Sequence, residues 1–156
     1  MPISSLLSNA ARVAAIVVAG LLAGSMFAVW RGYDFAGYTP ATYLEVHKLA
    51  VTGLNALLPV MGLVSIALMI ALAVGARHDR RRMACYIVAA VLFACAGLVT
   101  ILANQPINAM VMGWTTLPDG WEQVRDSWRT WHLVRFVLTM AGLVLLVVTA
   151  LNDRRA

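Results

Sequence analysis

Four long apolar runs dominate this sequence, and nearly all of its charged residues lie in the short segments between them. The runs span residues 14–30, 49–76, 83–103 and 133–151. At about 1.5 Å of rise per residue, helices of this length cross or nearly cross the ~30 Å hydrocarbon core of a membrane. The pattern predicts an all-α integral membrane protein in which four helices form a bundle.

The composition leaves no room for a separate soluble domain. Of the 156 residues, 62% are hydrophobic and 12% are charged, whereas soluble domains contain about 45–50% apolar and about 25% charged residues. Four spans of about 20 residues each use roughly half of such a chain. We therefore expect residues 1–156 to form a single four-helix domain whose first partner is the lipid bilayer.

The positions of the arginines predict the orientation of the bundle. Arg12 precedes the first run, the cluster Arg77, Arg80, Arg81 and Arg82 lies between the second and third, and Arg154 and Arg155 follow the last. Positive charge collects in cytoplasmic loops, so both termini are expected in the cytoplasm, with the protein in the inner membrane of a bacterium. The same placement argues against a nucleic-acid partner, although the net charge is +5.

The first span has two interpretations. Arg12 followed by an apolar stretch is also the pattern of a signal peptide. Gly20 and Gly24, however, form a Gly-x-x-x-Gly pair, which is typical of helix packing in membranes. This pair favours a contact with another helix or with a second copy of the chain, as in a homo-oligomer.

The second and fourth helices are expected to extend beyond the bilayer on the extracytoplasmic side. Thr39 as N-cap and Pro40 as first helical residue are typical of a helix start. Residues 104–132 connect the last two spans and contain four of the five tryptophans. Because Asp119 follows a proline and no helix breaker comes after it for several turns, the fourth helix is predicted to run from about Asp119 to Leu151.

A stripe of aromatic, cationic and titratable side chains follows one face of this fourth helix. Its members are Trp121, Arg125, Trp128, His132 and Arg135. An interfacial aromatic belt with snorkelling arginines would give the same pattern. Arg135, however, lies inside the apolar run, where an arginine is costly unless it faces the bundle interior and a partner.

The second helix carries polar residues of its own. His47 and Asn55 lie on nearly the same face, and Pro59 removes the hydrogen bond that the Asn55 carbonyl would otherwise accept. A kink beside an amide side chain would make a polar spot inside the apolar layer. Alternatively, Asn55 only joins two helices and His47 is solvated at the helix entrance.

The third helix is expected to end at Pro106, at the depth predicted for His47 and His132. Asn104 and Asn108 flank this proline, where they would either line a site or cap the helix. Thr100, one turn earlier on the same face, extends the polar lining inwards. We therefore predict one pocket at the extracytoplasmic end, formed by His47, Asn104, His132 and Arg135.

Two motifs resemble those of a known family. Asn104-Gln105-Pro106-Ile107-Asn108 gives an N-x-P-x-N corner, and Trp131-His132-Leu133-Val134-Arg135 gives W-H-x-x-R at the start of the last span, with Trp114, Trp121, Arg125 and Trp128 between them. In these residues the chain resembles the anthrone-oxygenase-like family of small four-span membrane proteins. The pair Asn55 and Pro59 is also similar. The named activity of that family is the oxidation by O₂ of an anthrone ring methylene to a carbonyl, in fungal polyketide tailoring.

The resemblance implies an O₂-dependent oxidoreductase that acts on an apolar aromatic or quinone-like substrate, which need not be the fungal one. Such chemistry needs a base, a cation for the developing oxyanion, and flat apolar walls. His132 or His47 would be the base, and Arg135 or Arg129 would stabilise the anion. The substrate would contact Trp114, Trp128, Trp131, Asn55, Asn104 and Asn108.

Two alternatives remain open. His47 and His132 would ligate copper or iron, or a haem between the second and fourth helices. Neither a flavin nor a nicotinamide site is predicted, because no Gly-rich nucleotide loop occurs. Cys85 and Cys95, about 15 Å apart along one helix, predict no disulfide or thiolate site.

The other alternative is a non-catalytic membrane protein whose tryptophan-rich helix binds a lipid, a haem or a partner protein.

Overall fold

The structure is a computed structural model that describes residues 3–33 and 37–152. Its helices are α1 (Ile3–Gly32), α2 (Pro40–Leu54), α3 (Leu57–Gly75), α4 (Arg80–Val99), a π-helical segment (Thr100–Asn104), α5 (Gln105–Gly113) and α6 (Trp121–Asn152). No strand occurs among the described residues, which confirms the all-α prediction. Of the arginines used to predict the orientation, Arg154 and Arg155 lie outside the described residues.

Four helical stretches are long and apolar enough to cross a membrane. They are Ser8–Gly32, Leu57–Gly75, Arg80–Gly113 and Trp121–Asn152. Large apolar side chains such as Leu63, Leu102 and Val144 are exposed on the outside of the bundle, where lipid accommodates them and water would not. The chain is therefore an integral membrane protein built as a four-helix bundle, as predicted.

The four long helices form a ring. α1 packs on α3 and α6, and α4 packs on the same two helices. The core between them combines leucines and methionines with small and aromatic residues, among the latter Ala19, Ala89, Phe93 and Phe136. Because small residues let helix backbones approach closely, this composition suits packing inside a membrane.

One end of the bundle is rich in aromatic residues. There α2 packs on α5, and Tyr43, Trp114, Trp121 and Trp128 belong to one cluster of packed side chains. We call this region the aromatic end. It covers the point where the polar residues predicted from the sequence come together.

The helices α4 and α6 approach each other closely at Gly142. A Cβ atom at this position would lie 2.8 Å from Cδ2 of Phe93 and 3.2 Å from the carbonyl oxygen of Ala89. The carbonyl oxygen belongs to the backbone of α4 and moves only if that helix moves. The crossing therefore requires glycine.

Replacing Gly142 by Ala should lower the free energy of unfolding by about 1–3 kcal/mol, the usual cost of overpacking. Unfolding of the purified protein in detergent, by heat or by SDS, measures the loss. The matched control is Gly24→Ala, because no atom lies within 4 Å of an added Cβ at that helical position. The control should be at least as stable as the wild type, and an equal loss in both variants would contradict the close approach.

The second helix is divided, where the sequence predicted one kinked helix that begins at Pro40 and includes the apolar span 49–76. α2 ends at Leu54 and α3 begins at Leu57, with Asn55 and Ala56 between them. Pro59 has no amide hydrogen to donate to the Asn55 carbonyl, so the turn before the proline opens. The membrane-length helix of this span consequently starts at Leu57.

The helix of the third span, which begins as α4, continues past Pro106. The prediction that Pro106 ends this helix was therefore wrong. Over Thr100–Asn104 the backbone widens into a π-helix, in which the Gln105 N–H donates to the Thr100 carbonyl oxygen, five residues back. The wider turn accommodates the proline ring that a regular α-turn would exclude. The helix then extends to Gly113, so the predicted long connection shrinks to residues 114–120.

Two predicted helix features are confirmed. The Thr39 side-chain oxygen accepts a hydrogen bond from the Thr42 N–H and so caps α2, with Pro40 as the first helical residue. α6 runs without a break from Trp121 to Asn152. The stripe predicted on the fourth helix therefore lies on one continuous helix.

The predicted packing of Gly20 and Gly24 inside the bundle does not occur in the described structure. No atom lies within 4 Å of the point where a Cβ would stand at either position, because this face of α1 points away from its neighbours. Contact with a second copy of the chain stays a prediction.

Candidate functional site

Arg135 lies inside the bundle on α6 and is only 7% exposed. Its Nη2 donates to Nδ1 of His132 at 2.7 Å, and its Nη1 donates to Oγ1 of Thr100 at 3.2 Å. Among the described residues, no carboxylate forms an ion pair with it. A buried guanidinium bonded to neutral groups is well placed to attract an anion into the bundle.

Both ring nitrogens of His132 are engaged. Nε2 lies 2.9 Å from the carbonyl oxygen of Met26, which only accepts, so Nε2 carries the hydrogen. Nδ1 is then unprotonated, and it accepts the hydrogen bond from Arg135. In this arrangement the Nδ1 lone pair of His132 is engaged by Arg135 and is not available to a proton or a metal, so the geometry does not favour the predicted roles of His132 as base and ligand. His132 holds the Arg135 guanidinium in position instead.

Trp128 contacts both histidines. Its indole stacks on His132 with 5.0 Å between ring centroids and meets His47 edge-on at 5.1 Å. Its Nε1–H donates to Oδ1 of Asn108 at 2.7 Å, and Nδ2 of Asn108 donates to Oδ1 of Asn55 at 3.3 Å. Side chains from α5, α6 and the break before α3 thus form one connected polar group.

Asn104 is hydrogen-bonded to the backbone of Trp128, which belongs to this polar group. Its side chain is fully buried, and its Nδ2 donates to the carbonyl oxygen of Trp128 at 3.2 Å. The π-helical segment therefore contributes twice, since Thr100 and Asn104 both bond to α6. Wide turns of this kind often occur at functional sites because they redirect side chains.

His47 is buried on α2, with 1% of its surface exposed. Burial lowers the pKa of His47 from 6.5 to about 4, and a side-chain hydrogen bond with Asn108 acts in the opposite direction. Tyr43 packs on the His47 ring with 5.5 Å between centroids. Burial raises the pKa of Tyr43 to about 12. Both side chains are therefore uncharged at neutral pH.

Two cavities meet at Arg135. The smaller, of about 40 Å³, lies at the aromatic end, and its polar lining consists of His47, Asn55, Thr100, Asn108, Trp128 and Arg135. The larger, of about 150 Å³, is mainly apolar. It is bordered by α1, α3, α4, the π-helical segment, α5 and α6. Thr100 and Arg135 border both. The guanidinium thus lies at the junction of a polar and an apolar space.

Three predicted members of the site border neither cavity and take part in none of the hydrogen bonds described above. Trp131 is 42% exposed on the outer surface of α6, and Arg129 is only partly buried. At about 100° per residue, Arg129 lies on a different face of α6 from Trp128 and Arg135, whereas Trp131 lies beside that face, at its exposed edge. Trp114 belongs to the aromatic end, where its carbonyl oxygen accepts a hydrogen bond from Lys48.

The residues present do not fit a metal shared by the two histidines. His132 offers no lone pair while it binds Met26 and Arg135. The described residues also contain no group of three or more His, Cys, Asp or Glu side chains that could hold an ion. Copper, iron or haem iron bound to both rings would require His132 to release the guanidinium.

Sequence reasoning missed two contributors to the site. Tyr43 lies four residues before His47, so helical periodicity could have placed it on the same face. The Met26 carbonyl on α1 is the partner of His132. No side-chain pattern could have found it, because the contact is made by the backbone.

The lowered pKa of His47 predicts a loss of stability in acid. Between pH 6.5 and 4 the unfolded chain binds a proton that the folded chain does not, so stability falls across this interval and levels off below it. The loss should reach roughly 3 kcal/mol. Unfolding at several pH values from 8 to about 4 should show a fall in the wild type that is smaller by about this amount in His47→Gln. The variant His78→Gln, in the exposed turn before α4, should behave like the wild type, and parallel curves for all three would contradict the assignment.

Comparison with known proteins gives one match. A family model described as anthrone oxygenase matches residues 48–145, more than half of the chain. The matched segment contains Asn55, Thr100, Asn104, Asn108, Trp128, His132 and Arg135, and it begins one residue after His47. Neither a curated protein nor a solved structure matches the chain.

Proposed function

The chain belongs to the anthrone oxygenase family, and we propose that it uses O₂ to oxidise the ring methylene of an apolar, anthrone-type aromatic compound to a carbonyl. The observation that carries the proposal is Arg135, a buried guanidinium held by neutral groups at the junction of two cavities. Such a site favours a substrate that becomes an anion during the reaction.

The reaction needs no external reductant. Removal of a methylene proton gives a carbanion whose charge is delocalised onto the ring carbonyl oxygen as a phenolate. This anion gives electrons to O₂ and combines with it and a proton to form a hydroperoxide at the former methylene carbon. Loss of water leaves the second carbonyl. One substrate and one O₂ thus give one quinone and one water.

Arg135 would stabilise the phenolate form of the substrate. Its charge lies in an apolar, water-poor environment, where a charged hydrogen bond is stronger than in water. His132 and Thr100 fix the direction of the guanidinium before the substrate binds. Preorganised donors of this kind cost little reorganisation when the anion forms. His132 and Thr100 are positioning residues in this account.

His47 would take the methylene proton. It borders the polar cavity together with Arg135, and its low pKa keeps the ring neutral at physiological pH. A neutral imidazole that donates one hydrogen to Asn108 keeps a lone pair on its other nitrogen. A base with a pKa of about 4 is weak, so the reaction depends on Arg135 to make the substrate more acidic.

Trp128 would form one wall of the site. Its indole is held by the Nε1–H bond to Asn108 and by stacking on His132. A rigid aromatic face suits a flat, fused-ring substrate because rings pack with offset or edge contacts. Asn55 and Asn108 would orient a carbonyl or hydroxyl group of the substrate in the polar cavity.

The proposal also places both termini in the cytoplasm and the aromatic end outside. It rests on the arginines between α3 and α4, which positive charge bias assigns to the cytoplasmic side. A reporter fused after Arg82 should be active in the cytoplasm, and one inserted near Gly120 should not. The reverse pattern would overturn the orientation.

The proposal is tested with the purified protein in liposomes supplied with anthrone. Quinone formation and O₂ uptake should rise together, one to one, above the autoxidation measured in liposomes without protein. The variant Trp131→Phe should retain the wild-type rate, because Trp131 lies on the outer surface. Binding of anthrone without any acceleration would contradict the proposal and support a non-catalytic binding protein.

A further inference from the structure

The larger cavity is bordered by residues of α3 and of the π-helical segment that are exposed on the outside of the bundle. Leu63 on α3 and Ile101 in the π-helical segment both border it, and they are 68% and 57% exposed. Both lie within the segments that cross the membrane. An opening at this position therefore faces lipid and not water.

The backbone is irregular on both sides of this opening. On one side the chain breaks before α3, and Pro59 borders the cavity. On the other side Thr100 and Ile101 belong to the π-helical segment. Irregular backbone at membrane depth is tolerated where it lines a cavity or is buried in protein. Two irregular segments at one gap indicate that the larger cavity belongs to the fold of the bundle.

Glycine keeps the gap open. Gly62 and Gly97 both border the cavity. No atom lies within 4 Å of an added Cβ at Gly97, and at Gly62 the nearest is Cδ2 of Leu22 at 3.8 Å. The glycines are thus not required for tight packing, in contrast to Gly142, whose Cβ would meet Phe93 at 2.8 Å. Their effect is to leave room for another molecule.

The inner end of the cavity carries a positive charge. Arg135 borders the cavity where it meets the polar space, whereas most of the remaining lining is apolar. The matching occupant has a flat or slender apolar body and a single acidic oxygen, such as a phenol, enol or carboxylate, that reaches the guanidinium. Such molecules partition into the bilayer.

We infer that the gap between α3 and the π-helical segment is a lateral entrance, through which an apolar ring compound with one acidic oxygen passes from the bilayer to Arg135. Gly97 determines the width of the site, and Ile101 lies at its mouth. The inference rests on the proposed function for the reaction, but binding through this entrance can be measured without turnover.

The probe is anthracene-9-carboxylate, a flat tricyclic anion with no methylene to oxidise. Energy transfer from tryptophan to the anthracene ring reports its binding to the protein in lipid nanodiscs. Gly97→Leu should weaken binding at least about tenfold, because the added side chain occupies the cavity. Gly24→Leu places the same side chain on α1, where nothing lies within 4 Å of an added Cβ, and it should bind the probe as the wild type does.

Association kinetics test the route. Ile101→Phe narrows the mouth without changing Arg135, so it should slow association of the probe at least about tenfold. Val91→Phe adds the same ring elsewhere on the exposed surface of α4 and should associate at the wild-type rate. Wild-type binding by Gly97→Leu, or association of Ile101→Phe as fast as that of Val91→Phe, would overturn the entrance. Normal binding without anthrone oxidation would leave the entrance standing and refute only the proposed function.

Discussion

Replacing Arg135 by Met should lower kcat/KM for anthrone oxidation by about 100- to 1000-fold, the usual effect of removing one oxyanion donor. The substitution removes the charge that stabilises the phenolate but keeps an apolar side chain of similar length. The free energy of unfolding should stay within about 2 kcal/mol of the wild type, because the relief of burying a charge offsets the lost hydrogen bonds to His132 and Thr100. Quinone formation and unfolding are measured on the same preparation.

The matched control is Arg129→Met on the same helix. Arg129 borders neither cavity, so this variant should retain activity within about twofold of wild type. Arg135→Lys keeps the charge but not the fork of donors, so its activity should lie between those of the wild type and Arg135→Met. Equal activity losses in the two Met variants would contradict a specific role for Arg135.

Replacing His47 by Gln should lower kcat by about 100- to 10,000-fold, the range that general bases contribute. Gln keeps a polar side chain next to Asn108 but cannot take the methylene proton. In the wild type the rate should be nearly independent of pH from 8 down to 5 and should fall as the pH approaches the His47 pKa of about 4. Initial rates in liposomes across this range measure both effects.

A deuterated methylene separates the role of His47 from a structural one. If His47 takes the proton, the rate of His47→Gln should depend more strongly on deuterium than the wild-type rate, because proton removal becomes the slowest step. His78→Gln, in the exposed turn before α4, should leave rate and isotope effect unchanged. An isotope effect that is the same in His47→Gln and wild type, or a pH dependence centred near 6.5, would exclude His47 as the base.

The fold and the position of Arg135 could be read from the sequence because both depend on local properties. Hydropathy defines four spans, and the cost of a charge in hydrocarbon requires Arg135 to face inwards. Helical periodicity places Trp128, His132 and Arg135 on one face of a helix without breakers. The structure has α6 continuous over this stripe and all three side chains buried.

The roles within the site could not be read in the same way because they depend on tertiary contacts. His132 looks like a base in the sequence, but the Met26 carbonyl of another helix fixes its tautomer and leaves Nδ1 to Arg135. Pro106 looks like a helix end, but a π-helical turn before it lets the helix continue. Hydrogen-bond partners and backbone irregularities of this kind follow from packing between helices, which single-sequence patterns do not encode.

Mixing the protein with anthrone in the absence of O₂ tests the central claim most directly. If Arg135 and His47 together generate and hold the substrate anion, the absorption of the anthrone phenolate should appear at neutral pH on binding to the wild type. Admission of O₂ should then convert this absorption into that of the quinone. Arg135→Met should show neither the anion nor its conversion. Quinone formation by the wild type in air without any anion in the anaerobic mixture, or an equally strong anion signal in Arg135→Met, would contradict the account.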